Sequence, residues 1–302
     1  MDELKRKPNF FIVGAPKCGT TSLLHYLKQH PDIFMSDYNE PHYFGKDLNK
    51  LNDVHITEKN KYLNLFSKVN DEVIIGEKSP YYLYSSLAPI EINKFNPNAK
   101  IVIMLRQPTA MIHSMHSQYY YSGNENEGNF SRALTLEVNR KKGEYIPNNI
   151  DLIEKLFYKT YVYKLPTQIK AYLEIFNKGN VEFILLEELK NATDETYKKI
   201  LRFLGVNSSF IPEFNIINPH KTYRVKIIRD CIKFYSPILG KMRSKCNINS
   251  LGIMKFIERV NTRYIVKSAI ETKLKEKLDK EFFPIIKELE KIINRDLSQW
   301  YS

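Results

Sequence analysis

The chain has 302 residues, 43% of them hydrophobic and 26% charged, with a net charge of +12. That balance suits one large or two small soluble domains with a substantial core, and it excludes a disordered or collagen-like chain. No apolar run reaches the length of a bilayer-spanning helix, and three cysteines are too few, and odd in number, for a disulfide framework.

The stretch Met1–Lys7 leads into a strand and not into an apolar leader, so neither a secretory leader nor a membrane anchor is expected. With the sparse cysteines, this makes the cytoplasm the expected location. The positive charge has two readings: attraction to polyanions, or solvated lysines along helix faces. Lys273, Lys275, Lys277 and Lys280 recur at helical spacing among glutamates, which favours the second reading for the last third of the chain.

Along the chain, the apolar run ending at Gly14 predicts a strand over about 9–14, and a helix over about 20–29 stopped by His30-Pro31. Between them lies Ala15-Pro16-Lys17-Cys18-Gly19, a short loop that opens onto Thr20-Thr21-Ser22. A strand, a loop of backbone N–H groups and a helix N-terminus form an anion site suited to phosphates. A nucleotide triphosphatase loop needs lysine directly after its second glycine. Here Thr20 follows Gly19, and the lysine, Lys17, sits inside the loop.

Further on, Asn39-Glu40-Pro41-His42-Tyr43-Phe44 lies in a loop, a helix is expected over about 58–68, and Val73-Ile74-Ile75-Gly76 is a short apolar run before Glu77-Lys78-Ser79-Pro80. A helix over about 84–95 precedes Lys100–Leu105, a buried strand because it shows no polar alternation. Arg106-Gln107-Pro108 ends that strand and Pro108 starts a helix to about 121, with Ser114 two turns in. Residues 122–149, rich in Asn, Gly and Glu, read as a mobile loop with a short helix. A long helix is predicted over about 150–177, a strand over 181–186 and a helix over about 193–204. Beyond about 225 the pattern is helical only, broken near 247–252.

Strands alternating with helices define an α/β class with a parallel sheet covered on both faces. The expected division is a core over 1–225 and a helical C-terminal extension, 226–302, packed on the same domain. Arg106 leaves the carboxyl end of a central strand, where such sheets bind ligands, and an arginine fork near a hydroxyl suits a phosphate monoester.

Val13-Gly14-Ala15-Pro16-Lys17-Cys18-Gly19-Thr20-Thr21-Ser22 resembles the 5′-phosphosulfate loop of the sulfotransferases that use 3′-phosphoadenosine 5′-phosphosulfate (PAPS). Arg106-Gln107-Pro108 with Ser114 resembles their 3′-phosphate motif, and 39–44 and 77–80 resemble two further motifs of that family. Lesser echoes are Phe203-Leu204-Gly205-Val206 and Asp296-Leu297-Ser298-Gln299-Trp300. The resemblance covers about 9–224 well and the tail more loosely.

The resemblance implies a P-loop-like three-layer fold, PAPS as co-substrate without a metal, and a hydroxyl acceptor, with a glycan or glycolipid favoured and no nucleic acid partner. It implies that Lys17, Cys18, Gly19, Thr20, Thr21 and Ser22 hold the 5′-phosphosulfate, with Lys17 stabilising the leaving phosphate. Arg106 and Ser114 would grip the 3′-phosphate, and Lys221 and Arg224 would close over it. Lys78 would be a second cation on the sulfate or the acceptor, though an ion pair with Glu77 or a neighbour is its structural alternative.

Glu40 would be the general base, since an acceptor hydroxyl needs its proton taken; the alternatives are His42 as the base, or a Glu40 that is merely solvent-exposed before its proline. The family's Gly-x-Tyr pair has no match here, where Tyr163 and Leu165 stand before Gln168-Ile169-Lys170-Ala171-Tyr172-Leu173.

Several features carry weaker readings. Tyr119-Tyr120-Tyr121 is open between stacking on sugars and packing. His113 and His116 lack a third ligand at metal-binding spacing. Cys18 stands at a helix N-terminus expected to lower its pKa, yet reads as loop packing. The competing functions are a P-loop nucleotide kinase and a non-catalytic polyanion- or nucleotide-binding protein.

Overall fold

The computed structural model describes residues 7–48, 56–148, 150–214, 221–223, 260–264 and 269–301, with the backbone alone for 221–223 and 263–264. Strand β1 (Phe10–Gly14) is buried throughout and leads through a short loop into α1 (Thr20–Leu27). Strands β2 (Ile33–Met35), β3 (Ile74–Lys78), β4 (Lys100–Leu105) and β5 (Val181–Leu185) join β1 in one sheet of order β2-β3-β1-β4-β5, every pair parallel. β1 and β4 have almost no polar side chains because both faces of a parallel sheet are covered by helices.

Between the strands lie α2 (Lys59–Asn64), α3 (Ala88–Phe95), α4 (Pro108–Ser122), α5 (Phe130–Arg140), α6 (Tyr158–Ile175), α7 (Leu186–Asn191) and α8 (Thr193–Leu204). After β1 the chain turns towards the β2 edge, and after β4 it turns towards β5. Connections thus reverse between β1 and β4, and the crevice outside the carboxyl ends of those two strands is where open α/β sheets hold ligands.

Ile33–Met35, too short to carry a strand pattern, is an edge strand whose three residues pair with Ile74–Gly76. Three sequence expectations are corrected. The stretch 122–149 holds the eleven-residue α5 and is tied down by a buried ion pair. There Arg140 Nη2 and Nη1 donate to Glu125 Oε1 at 2.6 Å and Oε2 at 2.8 Å, and Tyr158 Oη donates to Glu125 Oε2 at 2.9 Å. The predicted long helix at 150–177 opens instead with a 3-10 turn, Ile153–Leu156, before α6 begins. Finally, the chain beyond 225 is not helical only: β6 (Lys221–Tyr223) pairs antiparallel with β7 (Thr262–Tyr264).

The C-terminal helix α9 (Thr272–Ile293) buries Leu278, Phe282, Ile286, Leu289 and Ile293, spaced four, four, three and four apart, and packs on α6 and α4. Full burial of one such side chain is worth roughly 2 kcal/mol. The partly exposed pairs Lys159–Glu281 and Lys170–Glu288 across the α6–α9 seam add less than about 1 kcal/mol each. Apolar packing therefore holds α9 in place. It brings Asp279 Oδ1 within 2.8 Å of Gln107 Nε2, on the residue after Arg106. Arg295 reaches the Phe183 carbonyl of β5 at 3.1 Å and pairs with Glu188.

Candidate active site

Two glycines shape the loop after β1. A Cβ on Gly14 would lie 2.6 Å from Leu83 Cβ and 2.9 Å from the Pro80 carbonyl oxygen. Gly19, the residue before α1, has φ 90°, and a Cβ there would meet Leu186 Cδ1 at 2.8 Å. No other residue type fits either place without moving the backbone. The first-turn N–H groups of α1, from Thr20, Thr21 and Ser22, have no intrahelical acceptors and face the loop.

Lys17 itself has φ 62°. Its Nζ donates to Gln118 Oε1 on α4 at 3.2 Å, and Arg106 Nη1 donates to its carbonyl at 3.2 Å. Burial pushes the Lys17 ammonium down to about 8; Glu40 counters this, while Arg106 and Lys78 add to it. Lys17, Arg106, Lys78 and Glu40 thus share one electrostatic site although they are drawn from four different parts of the chain. Cys18 is fully buried, its Sγ 3.5 Å from the Pro16 carbonyl. Burial pushes its thiol well up, outweighing the nearby cations, so the lowered pKa expected from the helix N-terminus is corrected and Cys18 packs the loop.

The segment 39–44 crosses the end of β3. Lys78 Nζ, almost wholly buried, donates to Glu40 Oε1 at 2.8 Å and to Asn39 Oδ1 at 3.0 Å. Its ion pair is with Glu40, not with the adjacent Glu77. The Glu40 side chain keeps 28% of its surface exposed, whereas His42 is buried, with Nε2 3.5 Å from Glu40 Oε2. Burial alone would raise the Glu40 carboxyl, but Lys78 and His42 outweigh it and hold it well below the ordinary range; Lys155 adds to that field. Burial lowers the pKa of His42 despite the opposing pull of Glu40.

Glu40 has φ 57° and His42 φ 46°. Left-handed backbone at a residue with a Cβ costs about 1 kcal/mol or more each, so the surroundings must impose this shape. The residue before Lys78, Glu77, is 1% exposed. It accepts from Tyr62 Oη and Tyr82 Oη at 2.8 Å each and from Ser79 Oγ at 2.9 Å. Burial pushes its carboxyl up to about 7 against the pull of those hydroxyls and of Lys78.

On the other side of the crevice, Gln107 caps α4, its Oε1 accepting from Ala110 N at 2.6 Å, and Ser114 lies buried on that helix. Lys221 lies in β6, and its side chain, like all of Arg224, is outside the described residues. Of the three tyrosines, Tyr119 is buried and shares a hydrogen bond with Tyr81 at 2.8 Å, while Tyr121 Oη meets Thr262 Oγ1 at 2.7 Å. His116 Nε2 meets the Glu127 carbonyl at 2.8 Å. Among the described residues no cluster of three or more His, Cys, Asp or Glu could hold a metal ion.

Sequence reading missed Gln118, Lys155 and the role of Glu77. Gln118 could have been found, because it stands four residues after Ser114 and so on the same helix face.

A three-layer P-loop-like fold, with its anion loop after β1 and an arginine after β4, defines the class. The sulfotransferase domain family matches residues 7–298, and the chain belongs to that family. This sets aside the nucleotide-kinase alternative.

The chain is 24% identical over 307 residues to human carbohydrate sulfotransferase 15, spanning 79% of this chain and about half, 53%, of that protein. It is 31% identical over 114 residues to mouse heparan sulfate glucosamine 3-O-sulfotransferase 6, covering 38% of this chain and 31% of that one. The crystal structure of a sulfotransferase from Alicyclobacillus acidocaldarius is 27% identical and superimposes with a TM-score of 0.73 over 98% of this chain and 99% of that one. Among the described residues no helix is long and apolar enough to cross a membrane.

Proposed function

We propose that this chain transfers the sulfuryl group of PAPS to a hydroxyl of a carbohydrate acceptor. The carrying observation is the convergence of Lys17, Arg106 and the Lys78–Glu40 pair at the carboxyl ends of β1, β3 and β4. The carbohydrate and heparan sulfate sulfotransferases among the relatives support a glycan acceptor.

In this reading the α1 N-terminus and Lys17 take the 5′-phosphosulfate, and Arg106 with Ser114 takes the 3′-phosphate. The acceptor oxygen attacks sulfur in line, the bond from sulfur to the bridging phosphate oxygen breaks, and the acceptor proton passes to Glu40. Lys17 stabilises the charge left on the phosphate. A carboxylate held ionised is a weak base, so it takes the proton late, once the new S–O bond has acidified the hydroxyl. Glu40 is favoured over His42 because it retains exposed surface, whereas His42 lies buried behind it.

The side-chain cations supply the charge compensation, so the reading requires no metal. The test is calorimetric titration with adenosine 3′,5′-bisphosphate, expected to bind without Mg²⁺ and far more tightly than ATP; equal affinity or strict Mg²⁺ dependence would sink the donor assignment. Glu40→Gln is expected to keep bisphosphate binding and lose sulfate transfer to glycan acceptors by about 10²- to 10⁴-fold. Full activity in that variant removes Glu40 as the base and leaves the Glu40–Lys78 pair a structural one.

A further inference from the structure

The carboxylate of Glu77 is surrounded by hydroxyls, two of which also serve the segment that carries Glu40. Ser79 Oγ gives its proton to Glu77 Oε2 at 2.9 Å and accepts the His42 backbone N–H at 3.1 Å. Tyr82 Oη gives its proton to Glu77 Oε1 at 2.8 Å and accepts the Phe44 N–H at 3.3 Å. A hydroxyl has one proton and a carboxylate has only lone pairs to offer. While ionised, Glu77 therefore dictates the polarity of both relays: it takes each proton, and the oxygen lone pairs are left facing the two loop amides.

Tyr62 donates to the same carboxylate and stacks on Tyr43, with ring centroids 4.1 Å apart. The segment is thus held by its backbone at 42 and 44 and by the Tyr43 ring, and the two residues at positive φ are Glu40 and His42 itself. The neighbouring Lys78 grips the Glu40 carboxylate itself.

Building on the proposed role of Glu40, we infer that Glu77 is a positioning residue of the sulfuryl-transfer site. It acts through Ser79 and Tyr82 on the backbone of 42–44 and so aims the Glu40 carboxylate at the acceptor. It touches neither donor nor acceptor. A glutamine in its place would present an NH₂ to one of the relays in either orientation, leaving an O–H there with no acceptor. Displacement of a reacting group by about 1 Å costs up to about 10²-fold in rate, and a loss of that size is expected in kcat.

The experiment uses the full chain and the variants Glu77→Gln, Tyr82→Phe and Ser79→Ala. Hydrogen–deuterium exchange is followed at the His42 and Phe44 amides, with adenosine 3′,5′-bisphosphate bound and free. Turnover is measured with radiolabelled PAPS on a panel of oligosaccharides that includes heparan sulfate fragments.

In Glu77→Gln at least one of the two amides, the one whose relay meets the NH₂, is expected to exchange at least about tenfold faster, with bisphosphate affinity within about twofold and kcat reduced by about 10- to 100-fold. Tyr82→Phe should release Phe44, and Ser79→Ala should release His42. Combined with Glu40→Gln, the Glu77→Gln change should cost almost nothing further, because the two act as one unit. Protection unchanged at both amides, or fully additive losses in the double variant, overturns the inference. If Glu77→Gln does not fold, the Tyr82 and Ser79 variants decide by the same amides. A wild-type chain that transfers no sulfate from PAPS refutes the proposed function, and the amide readout still decides the role of Glu77.

Discussion

Binding of adenosine 3′,5′-bisphosphate is expected to draw a proton onto Lys17 at alkaline pH. In the free protein burial holds this ammonium at about 8 instead of 10.5. The difference corresponds to about 3 kcal/mol against the charged form. A phosphate charge about 4 Å away returns roughly 4 kcal/mol per unit charge at the effective dielectric of a partly buried site. The bound complex should therefore restore the ordinary value.

The sign follows from the protonated form being the one that binds the anion. Below pH about 8 Lys17 is already charged and the affinity is flat; above it, affinity falls by up to tenfold per pH unit until about 10.5. Folding stability moves the other way. The unfolded chain holds the Lys17 proton more tightly, so this residue disfavours the folded state below about 8 and ceases to do so as the pH rises towards 10.5. Calorimetry at pH about 9 in buffers of different ionisation enthalpy should give an uptake close to one proton, absent in Lys17→Met. A flat affinity from pH about 7 to 10 with no proton uptake would refute the assignment of Lys17 to the phosphate and the electrostatic argument behind it.

Arg106→Ala should remove a charge-assisted hydrogen bond worth about 1.5–3 kcal/mol, so the preference for the bisphosphate over 5′-AMP should drop by about 10- to 100-fold; an unchanged ratio separates Arg106 from the 3′-phosphate. Arg140→Met leaves Glu125 buried with only the Tyr158 hydroxyl and the Glu127 N–H among the described donors, and is expected to cost about 3–5 kcal/mol in denaturant unfolding while bisphosphate affinity stays the same. Gly14→Ala forces a Cβ to 2.6 Å from Leu83 Cβ, so bisphosphate binding should weaken at least about tenfold through the displaced loop; wild-type affinity would show that the loop moves freely.

Much of the fold was legible because its signals are local. The all-apolar runs of β1 and β4, the glycines bounding the first loop, and Pro108 after Arg106 each act within a few residues. Segments whose partners are distant in sequence were harder. β2 is three residues long and becomes a strand only because β3 lies beside it. In α5 the buried positions Ala133, Leu134, Glu137 and Arg140 follow helical spacing, but two of the four are charged. A hydrophobic pattern does not show them, and their partners Glu125, Lys159 and Thr160 are outside the helix. The β6–β7 pair joins positions about forty residues apart and has no local turn to announce it.

The site divides along the same line. Sequence alone determined the anion loop, the displaced lysine and the arginine at a strand end, because each is a residue type at a defined place on one element. It also put Glu40 and Lys78 forward as separate candidates. That Lys78 pairs with Glu40, that His42 lies behind that carboxylate, and that burial lowers Lys17 and raises Cys18 are products of tertiary structure. Hydrogen bonds and desolvation depend on what lies across a few ångströms, and here those neighbours lie up to about a hundred residues away along the chain.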